Sequence, residues 1–240
     1  EISLGLVGSE MCIRDRGPVL TIDPVVHAGP PVSRRERRAQ EAARVQGPQA
    51  VLAVCTGNIC RSAFAEHALR GRLESLAPGR TETASAGTRP DLGLRVPSAL
   101  SAAAESVGVH GLRDHRPSRM SVAMISAADL VLCATRDHMR QVLREVPRAL
   151  GVTFTILELA ALISRMDDRT EGDWFEEGQG LQAFARQAAR HRSLARLEDV
   201  PLDIADPFGG PDADYAEMVR QMTPAVETIA GALARAVRPV

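Results

Sequence analysis

The chain has 240 residues, of which 45% are hydrophobic and only 3% aromatic, and its formal net charge at pH 7 is −1. This length is enough for one α/β domain of about 150 residues with additional segments, and the balanced charge argues against binding to nucleic acid or to a membrane surface through bulk electrostatics. The sequence contains no apolar run near the roughly 18 residues that cross a membrane, and no signal-peptide pattern. Its 4 cysteines are irregularly spaced, which does not indicate a disulfide framework. We therefore expect a protein of the reducing cytoplasm with no membrane span and no nucleic-acid partner.

The first part of the chain is not expected to belong to the fold. Residues 17–32 are rich in proline and glycine, and residues 33–44 form a basic run that could make a short helix. A solvated leader is the favoured interpretation of this run, and a surface for an acidic partner is the alternative. The sequence therefore predicts a disordered or non-native leader over residues 1–48 and a folded domain over residues 49–240, with a helical insertion at about residues 164–197.

A buried strand that leads through a polar loop into a helix organises this domain. Residues 51–54, Val-Leu-Ala-Val, are typical of a buried strand, and residues 63–70 of a helix. A loop of this kind binds anions, because unpaired backbone N–H groups and the helix dipole meet at the helix amino terminus. The Gly-Lys-Ser/Thr ending of a nucleotide-binding P-loop is absent. Instead, Cys55 begins the loop and Arg61 ends it.

The spacing of Cys55 and Arg61 indicates phosphoryl chemistry. Loop amides and a guanidinium favour a thiolate, which would lie at the base of a phosphate cradle and could attack phosphorus in line. The planar fork of Arg61 matches two phosphoryl oxygens, which a lysine could not reproduce.

Residues 55–62, Cys-Thr-Gly-Asn-Ile-Cys-Arg-Ser, resemble the active-site loop of the low-molecular-weight protein tyrosine phosphatase family, although Ala63 replaces the proline usual there. The resemblance implies an α/β fold, a four-stranded parallel sheet with helices on both faces in a Rossmann-like three-layer arrangement. The site is then expected at the carboxyl edge of the strands. The resemblance also implies that Cys55 and Arg61 are catalytic. The residues that it assigns to substrate binding are Thr56, Gly57, Asn58, Ile59, Cys60 and Ser62.

Supporting residues are also implied by the resemblance. Ser85, in Ser-Ala-Gly-Thr, is expected to join Ser62 in holding Asn58. The alternative interpretation of these four residues is a strand that ends in a turn. His115 is similar to the histidine that supports this asparagine in the family, but the spacing here is one residue longer. A surface histidine is an equally good interpretation. Cys133 lies in an apolar run and is predicted to be a core cysteine.

Residues 206–210, Asp-Pro-Phe-Gly-Gly, resemble the acid loop of the family. The leaving oxygen of a phosphate ester must be protonated as it departs, so a general acid is needed. We predict that Asp206 is this acid, with Asp203 as the alternative, and a turn aspartate before proline is the purely structural interpretation of Asp206. The family's aromatic residue after Ser-Ala-Gly-Thr is missing, with Pro90 near its position, so Phe208 is expected to form one wall of the pocket.

Apolar patterns complete the predicted fold. Further strands are predicted near residues 82–86, 129–134 and 152–156, and a last helix over about residues 216–236. Within the insertion, Leu181 to Leu197 has the pattern of an amphipathic helix, which we expect beside the edge of the sheet that carries the active site.

Together these features predict a phosphatase that hydrolyses phosphomonoesters through a phosphocysteine intermediate, without a metal or a cofactor. Phosphotyrosine in a protein is the favoured substrate, and a small phosphate ester the alternative. In the resembling family, a cysteine at the position of Cys60 can pair with the nucleophile and protect it from oxidation. Two other functions stay open: an arsenate reductase on the same scaffold, which needs further redox cysteines, and a catalytically weak phosphate-binding interaction protein.

Overall fold

The computed structural model describes residues 47–170, 174–192, 197 and 199–239. The predicted leader over residues 1–48 lies almost wholly outside the described residues. The strands are β1 (Gln49–Cys55), β2 (Thr81–Gly87), β3 (Leu130–Cys133) and β4 (Thr153–Thr155). The α-helices are α1 (Arg61–Leu76), α2 (Ser98–Ser106), α3 (Val122–Ala127), α4 (Arg136–Glu145), α5 (Ile156–Thr170), α6 (Leu181–Arg190) and α7 (Asp212–Ala236).

The four strands form one parallel sheet in the order β2-β1-β3-β4. The predicted fold class is therefore confirmed. The carboxyl ends of all four strands lie at one edge of this sheet, which we call the carboxyl edge, and β1 reaches it at Cys55. Since β1 is a central strand, its carboxyl end has neighbouring strand ends on both sides, at Gly87 and Cys133.

Alternate residues of the central strands enter two separate hydrophobic cores. Val51 and Ala53 of β1 pack into the larger core, with buried side chains of α1, α2, α5, α6 and α7. Leu52 and Val54 face the opposite side and pack into a smaller core with residues of α3 and α4. This period of two explains why the β1 sequence is apolar at four consecutive positions, since a parallel sheet covered by helices is buried on both faces.

Helix α6 differs from its prediction in two respects. It ends at Arg190, and its first amide, of Leu181, donates to the side-chain oxygen of Gln49, the first residue of β1, at 2.5 Å. The helix therefore begins at the amino-terminal edge of the sheet, and the prediction of a place beside the active-site edge is wrong. Aromatic packing explains this position, because Phe184 of α6 contacts Trp174 and Phe175, with ring centroids 5.4 and 4.9 Å away.

Within the described part of the chain, no helix combines the length and the apolar character that crossing a membrane requires.

Candidate active site

The loop from Cys55 to Cys60 connects the end of β1 to the first residue of α1 at the carboxyl edge of the sheet. The Cys55 side chain is buried. Its Sγ lies 2.9 Å from Oγ of Ser62 and accepts a hydrogen bond from the amide of Asn58 at 3.3 Å. The sulfur is therefore held in place by two polar groups of the loop and of α1.

The other amides of this loop are unpaired. Among the described residues, the backbone N–H groups of Thr56, Gly57, Ile59 and Cys60 donate no hydrogen bond to a protein acceptor. Successive unpaired N–H groups around a helix amino terminus make a concave site of positive potential. The loop therefore has the local structure of an anion-binding cradle around the Cys55 sulfur.

Arg61 is buried, and its Nε–H donor has no partner among the described residues. Its Nη1 donates to the carbonyl oxygen of Ile204 at 3.2 Å, and its Nη2 donates to Oδ2 of Asp206 at 2.5 Å. Its Nε is buried and has no hydrogen-bond partner within the described ranges. A buried donor without a partner is energetically unfavourable, so the Nε–H group is available to an oxygen atom of a bound anion.

Asn58 organises the loop from below. Its backbone is left-handed, with φ of 56°, a conformation that asparagine tolerates better than most residues. Its Nδ2 donates to Oγ of Ser62 at 2.9 Å and to Oγ of Ser85 at 2.7 Å. Its Oδ1 accepts from the amide of Ser118 at 2.8 Å. The contacts that the resemblance implied among Asn58, Ser62 and Ser85 are therefore present.

His115 completes this support. Its side chain is buried, which excludes the surface interpretation, and its Nε2 donates to the carbonyl oxygen of Asn58 at 2.9 Å. Burial lowers the pKa of His115 below its ordinary value, although the neighbouring Glu66 carboxylate acts in the opposite direction. The extra residue in the spacing is thus accommodated without moving the ring away from the loop.

Gly87, the last residue of β2, packs directly against the loop. A Cβ atom at this position would lie 2.5 Å from the carbonyl oxygen of Thr56 and 3.1 Å from Cβ of Pro90. Only glycine therefore lets β2 approach the loop this closely.

The acid loop is fixed to the sheet and to α7. The amide of Ile204 donates to the carbonyl of Ala134, directly after β3, at 2.9 Å. The amide of Gly209 donates to the hydroxyl of Tyr215 in α7 at 3.3 Å. These contacts place the intervening Asp206 at the mouth of the site, where its side chain is 47% exposed and pairs with Arg61.

Asp203 has a different environment. Its Oδ1 accepts from the backbone amide of Arg136, at the start of α4, at 2.7 Å, and the guanidinium of the same arginine pairs with it. Burial alone would raise the pKa of Asp203, but these hydrogen bonds outweigh that effect and hold its pKa below the ordinary value. Asp203 is thus held by Arg136 and does not line the pocket that contains Cys55 and Arg61, so it is poorly placed to act as a general acid.

A pocket of about 170 Å³ opens above the loop. Asn58 and Ser62 are not on its wall and lie beneath the loop. The predicted site residues that the structure brings together on its wall are Cys55, Thr56, Gly57, Ile59, Cys60, Arg61 and Asp206, together with the expected wall residue Phe208.

Sequence reasoning missed three residues of the same wall: Arg89, Asp91 and Leu94. They follow the Ser-Ala-Gly-Thr segment, and that proximity was the only signal in the sequence. Pro90, by contrast, is buried against Gly87 and does not line the pocket.

His138 was also missed. Its Nε2 lies 2.9 Å from Oγ1 of Thr56 in the loop, and its Nδ1 lies 2.8 Å from Oγ1 of Thr135, which caps α4. Burial, aided by the charge of Arg61, lowers the pKa of His138 to about 4. The ring is therefore neutral at pH 7. The sequence signal that could have indicated its position is Thr135, a helix-capping residue three positions before it.

The remaining thiols of the described residues are buried. Burial raises the pKa of Cys60 to about 12, and the nearby Cys55 and Asp206 act in the same direction. Cys60 is thus a neutral thiol at pH 7, and its protective role stays a prediction. Cys133 lies in the smaller core, as expected for a core cysteine, and burial raises its pKa as well.

The fold and this loop define a class of protein, and comparison with known proteins agrees. The family model of the low molecular weight phosphotyrosine protein phosphatases matches residues 50–171. That match includes the loop and all four strands and extends over half of the sequence. The chain belongs to this family.

Individual relatives fall into two groups. The low molecular weight protein-tyrosine-phosphatase Etp of Escherichia coli K12 is 37% identical over 105 residues, which cover 43% of this chain and 66% of that protein. This chain thus spans just under two thirds of the length of that relative. A protein-arginine-phosphatase of Geobacillus stearothermophilus is 27% identical over 187 residues, covering 78% of this chain and 95% of that protein.

Solved structures are similar over most of the fold. The YwlE arginine phosphatase from Geobacillus stearothermophilus superimposes with a TM-score of 0.55 at 25% identity, covering 78% of this chain and 93% of that chain. A low molecular weight protein tyrosine phosphatase from T. tengcongensis has a TM-score of 0.55 at 22% identity, with 75% and 97% covered.

Proposed function

We propose that this protein hydrolyses phosphomonoesters through a phosphocysteine intermediate. One observation carries the proposal: the Cys55 sulfur lies at the base of a cradle of unpaired amides, beside the free Nε of Arg61 and below Asp206. A nucleophile, donors for phosphoryl oxygens and a carboxyl group thus meet in one pocket. Family membership and relatives named as protein phosphatases support the same activity.

The reaction has two displacements. In the first, the Cys55 thiolate attacks phosphorus, the bond from phosphorus to the leaving oxygen breaks, and Asp206 gives its proton to that oxygen. In the second, Asp206 takes a proton from water as the water oxygen attacks phosphorus. The sulfur–phosphorus bond then breaks, which releases inorganic phosphate and restores the thiolate. The loop amides and Arg61 stabilise the charge on the phosphoryl oxygens in both steps.

Phosphotyrosine in a protein is the substrate that we propose first. Ile59, Leu94 and Phe208 give the narrow pocket apolar surface on which a phenyl ring can pack. A small aryl phosphate presents the same ring and phosphate, and it would bind in the same way. Nucleic acid is not proposed as a partner, because the net charge is nearly balanced.

Phosphoarginine is the second candidate substrate, and a specific observation favours it. Two carboxylates, Asp91 and Asp206, line the pocket, where they could pair with the guanidinium of a phosphoarginine residue. In sequence, moreover, the protein-arginine-phosphatase of Geobacillus stearothermophilus is similar over 78% of this chain, whereas Etp is similar over 43% of it.

A comparison of three substrates tests these proposals. The full chain should hydrolyse para-nitrophenyl phosphate, and peptides of one sequence that carry phosphotyrosine or phosphoarginine should rank the two substrates by kcat/KM. Cys55→Ser should lower the rate by at least about 100-fold, because covalent catalysis requires the nucleophile. It should still bind inorganic phosphate, since the amide cradle is unchanged. Acid quenching of the wild-type protein with labelled substrate should leave phosphorus on Cys55, and label on any other residue would contradict the mechanism.

The two alternative functions are less well supported. An arsenate reductase passes a disulfide outward through further cysteines, but Cys133 is fully buried in the smaller core. A protein that only binds phosphate would not need the Asp206 carboxylate beside Arg61 in the pocket. A thiol nucleophile requires reducing conditions, so we propose the cytoplasm as the compartment in which the protein acts.

A further inference from the structure

A second cluster of polar side chains lies beside the network that supports the loop. It consists of Glu66 and His67, which are neighbours in α1, and His115. One possible metal-binding atom from each residue lies within 4.8 Å of the other two. Glu66 and His115 are buried and His67 is partly exposed. The proposed reaction uses none of these three side chains as a nucleophile, acid or phosphate ligand.

The hydrogen bonds of the two histidines determine which ring nitrogens can bind a cation. Nε2 of His115 is 2.9 Å from the carbonyl oxygen of Asn58, and Nδ1 of His67 is 3.0 Å from the carbonyl oxygen of His110. A carbonyl oxygen only accepts, so these two nitrogens carry the ring protons. In a neutral imidazole the other nitrogen then has a lone pair. Metal-binding histidines have this arrangement, in which the second ring N–H donates to a carbonyl or carboxylate.

The distances suit a small divalent metal ion. Nδ1 of His115 lies 3.7 Å from Oε2 of Glu66. Two ligands of a tetrahedral Zn²⁺ ion, with bonds of about 2.0–2.2 Å, are about 3.4 Å apart, so this pair is near the required spacing. Without a proton or a metal ion between them, two atoms that carry lone pairs repel each other.

The two carboxylate oxygens of Glu66 have different partners. Its Oε1 accepts from Arg70, whereas Oε2 accepts from the Ser85 hydroxyl at 2.5 Å and faces His115. Carboxylates that bind metals are commonly held by such outer hydrogen bonds. Oε2 is therefore the oxygen that a cation between Glu66 and His115 would contact.

We propose that Glu66, His67 and His115 form a zinc site outside the phosphate pocket. Two imidazoles and one carboxylate are a ligand set that suits Zn²⁺, with a fourth position for water. His67 is the partly exposed member of the set, so its ring can approach the other two ligands by a small movement that keeps its hydrogen bond to the His110 carbonyl. Solvent has access through a surface cavity of about 610 Å³ that His67, Arg70, His110 and Gly111 help to line.

A metal ion at this position connects α1 to the segment that carries His115. It also acts on the support of the loop, because His115 holds the Asn58 carbonyl and Glu66 holds Ser85. The ion therefore stabilises the folded protein and does not participate in phosphoryl transfer. A ligand that binds only the folded state raises its stability in proportion to the logarithm of ligand concentration over Kd.

Direct measurement of zinc binding to the full chain tests this site. The experiment uses a Cys55→Ser background, which removes a competing thiol, and titrates Zn²⁺ by calorimetry. His67→Gln should weaken binding of one zinc ion by at least about 10-fold, as expected for the loss of a ligand. His110→Gln is the matched control, because its side chain is exposed and the hydrogen bond to His67 comes from its backbone carbonyl, which the substitution keeps. This control should bind zinc like the parent protein.

Two further readouts separate a ligand from a merely structural residue. The thermal midpoint should rise with Zn²⁺ in the parent and in His110→Gln but not in His67→Gln, whose midpoint without zinc should match that of the parent. Co²⁺ should give the visible absorption of a four-coordinate ion in the parent, and His67→Gln should lose it. Equal zinc affinity in His67→Gln and the parent, or no zinc bound by the parent, would overturn the proposal. Neither result bears on the phosphatase activity.

Discussion

Two aspartates three positions apart on one loop show how strongly local contacts determine chemical role. Asp206 pairs with the buried Arg61 at the pocket, whereas Asp203 accepts from the backbone amide and guanidinium of Arg136 outside it. Each aspartate lies between two apolar residues, so the sequence alone left both as candidate acids. The contacts favour Asp206 and leave Asp203 a structural role at the start of α4.

We predict that Asp206→Ala slows phosphotyrosine hydrolysis by about 10²–10⁴-fold, the range typical of general acid catalysis. An activated aryl ester with a highly acidic phenol should be affected far less, because its leaving oxygen hardly needs a proton. Steady-state rates across a series of leaving groups measure the difference. Asp203→Ala is the control and should show no dependence on the leaving group. An equal loss for every ester in Asp206→Ala would mean that the residue only positions substrate.

The lowered pKa of His138 makes the stability of the folded protein depend on pH. Its pKa of about 4 in the folded protein is below the usual value of 6.5, so between these values the unfolded chain binds more protons. Stability is therefore expected to fall as the pH is lowered through this range. Burial and Arg61 lower this pKa, and the carboxylates of Asp137, Asp206 and Asp203 oppose them.

We predict that His138→Gln makes stability less dependent on pH between about pH 6.5 and pH 4. Urea unfolding at several pH values in this range gives the slope for each protein. The slope should not vanish, because the pKa of His115 is lowered as well. Parallel curves for the variant and the wild type would show that His138 does not contribute.

Between elements, the close contact of β2 with the loop after β1 matters most for the site. The sequence predicted a strand there and the turn residues after it, because alternating and apolar patterns are local properties. The sequence could not predict that Gly87 packs against the Thr56 carbonyl, because α1 and most of β2 separate these two residues along the chain.

We predict that Gly87→Ala destabilises the protein by about 1–3 kcal/mol, since the added Cβ would overlap the Thr56 carbonyl and force a backbone shift. The displaced loop should also lower kcat by about 10²-fold. Gly71→Ala is the matched control. Gly71 lies within α1 with open space around its Cβ position, so alanine there should stabilise by about 0.5–1 kcal/mol. Denaturant unfolding and steady-state kinetics of both variants check the pair, and full activity in Gly87→Ala would refute the contact.

The origin of each pocket residue sets a limit on what the sequence reveals. Cys55 and Arg61 belong to one short sequence motif, and Asp206 belongs to another. These motifs were sufficient to predict that the three residues share a site. Leu94, Asp91 and His138 reach the same pocket from other segments only through the folding of the sheet. The place of α6 was mispredicted for the same reason, because the aromatic residues that hold it come from a separate stretch of chain.

At the scale of the whole molecule, α7 closes the larger core. Its apolar residues pack against α1, α2 and α5, and the face predicted from the sequence, with Met218, Met222, Val226, Ile229 and Leu233, is buried as expected. The division of the chain into a leader over residues 1–48 and an insertion near residues 164–197 stays a proposal. It draws support from a family match that ends at residue 171.

We predict that Ile229→Ala lowers the free energy of unfolding by about 2–5 kcal/mol, because a fully buried side chain leaves a cavity between helices. Glu227→Ala, on the same helix, should cost less than about 1 kcal/mol, since its ion pair with Arg72 is exposed. Chemical unfolding curves measure both changes. Similar losses for the two variants would mean that α7 is not packed as described.

The position of α7 also has a consequence during protein synthesis. The ribosome completes β4 at Thr155 but reaches Ala236, the end of α7, only after roughly 80 more residues. At about 5–20 residues per second this takes about 4–16 s. Until α7 is complete, the faces of α1 and α2 that it covers stay open to water, as does the face of α5 once that helix has been made, so the nascent chain presents an apolar groove to chaperones. Asp206 is synthesised just before α7, so the unfinished chain contains the whole Cys55–Arg61 loop well before the carboxylate that pairs with Arg61.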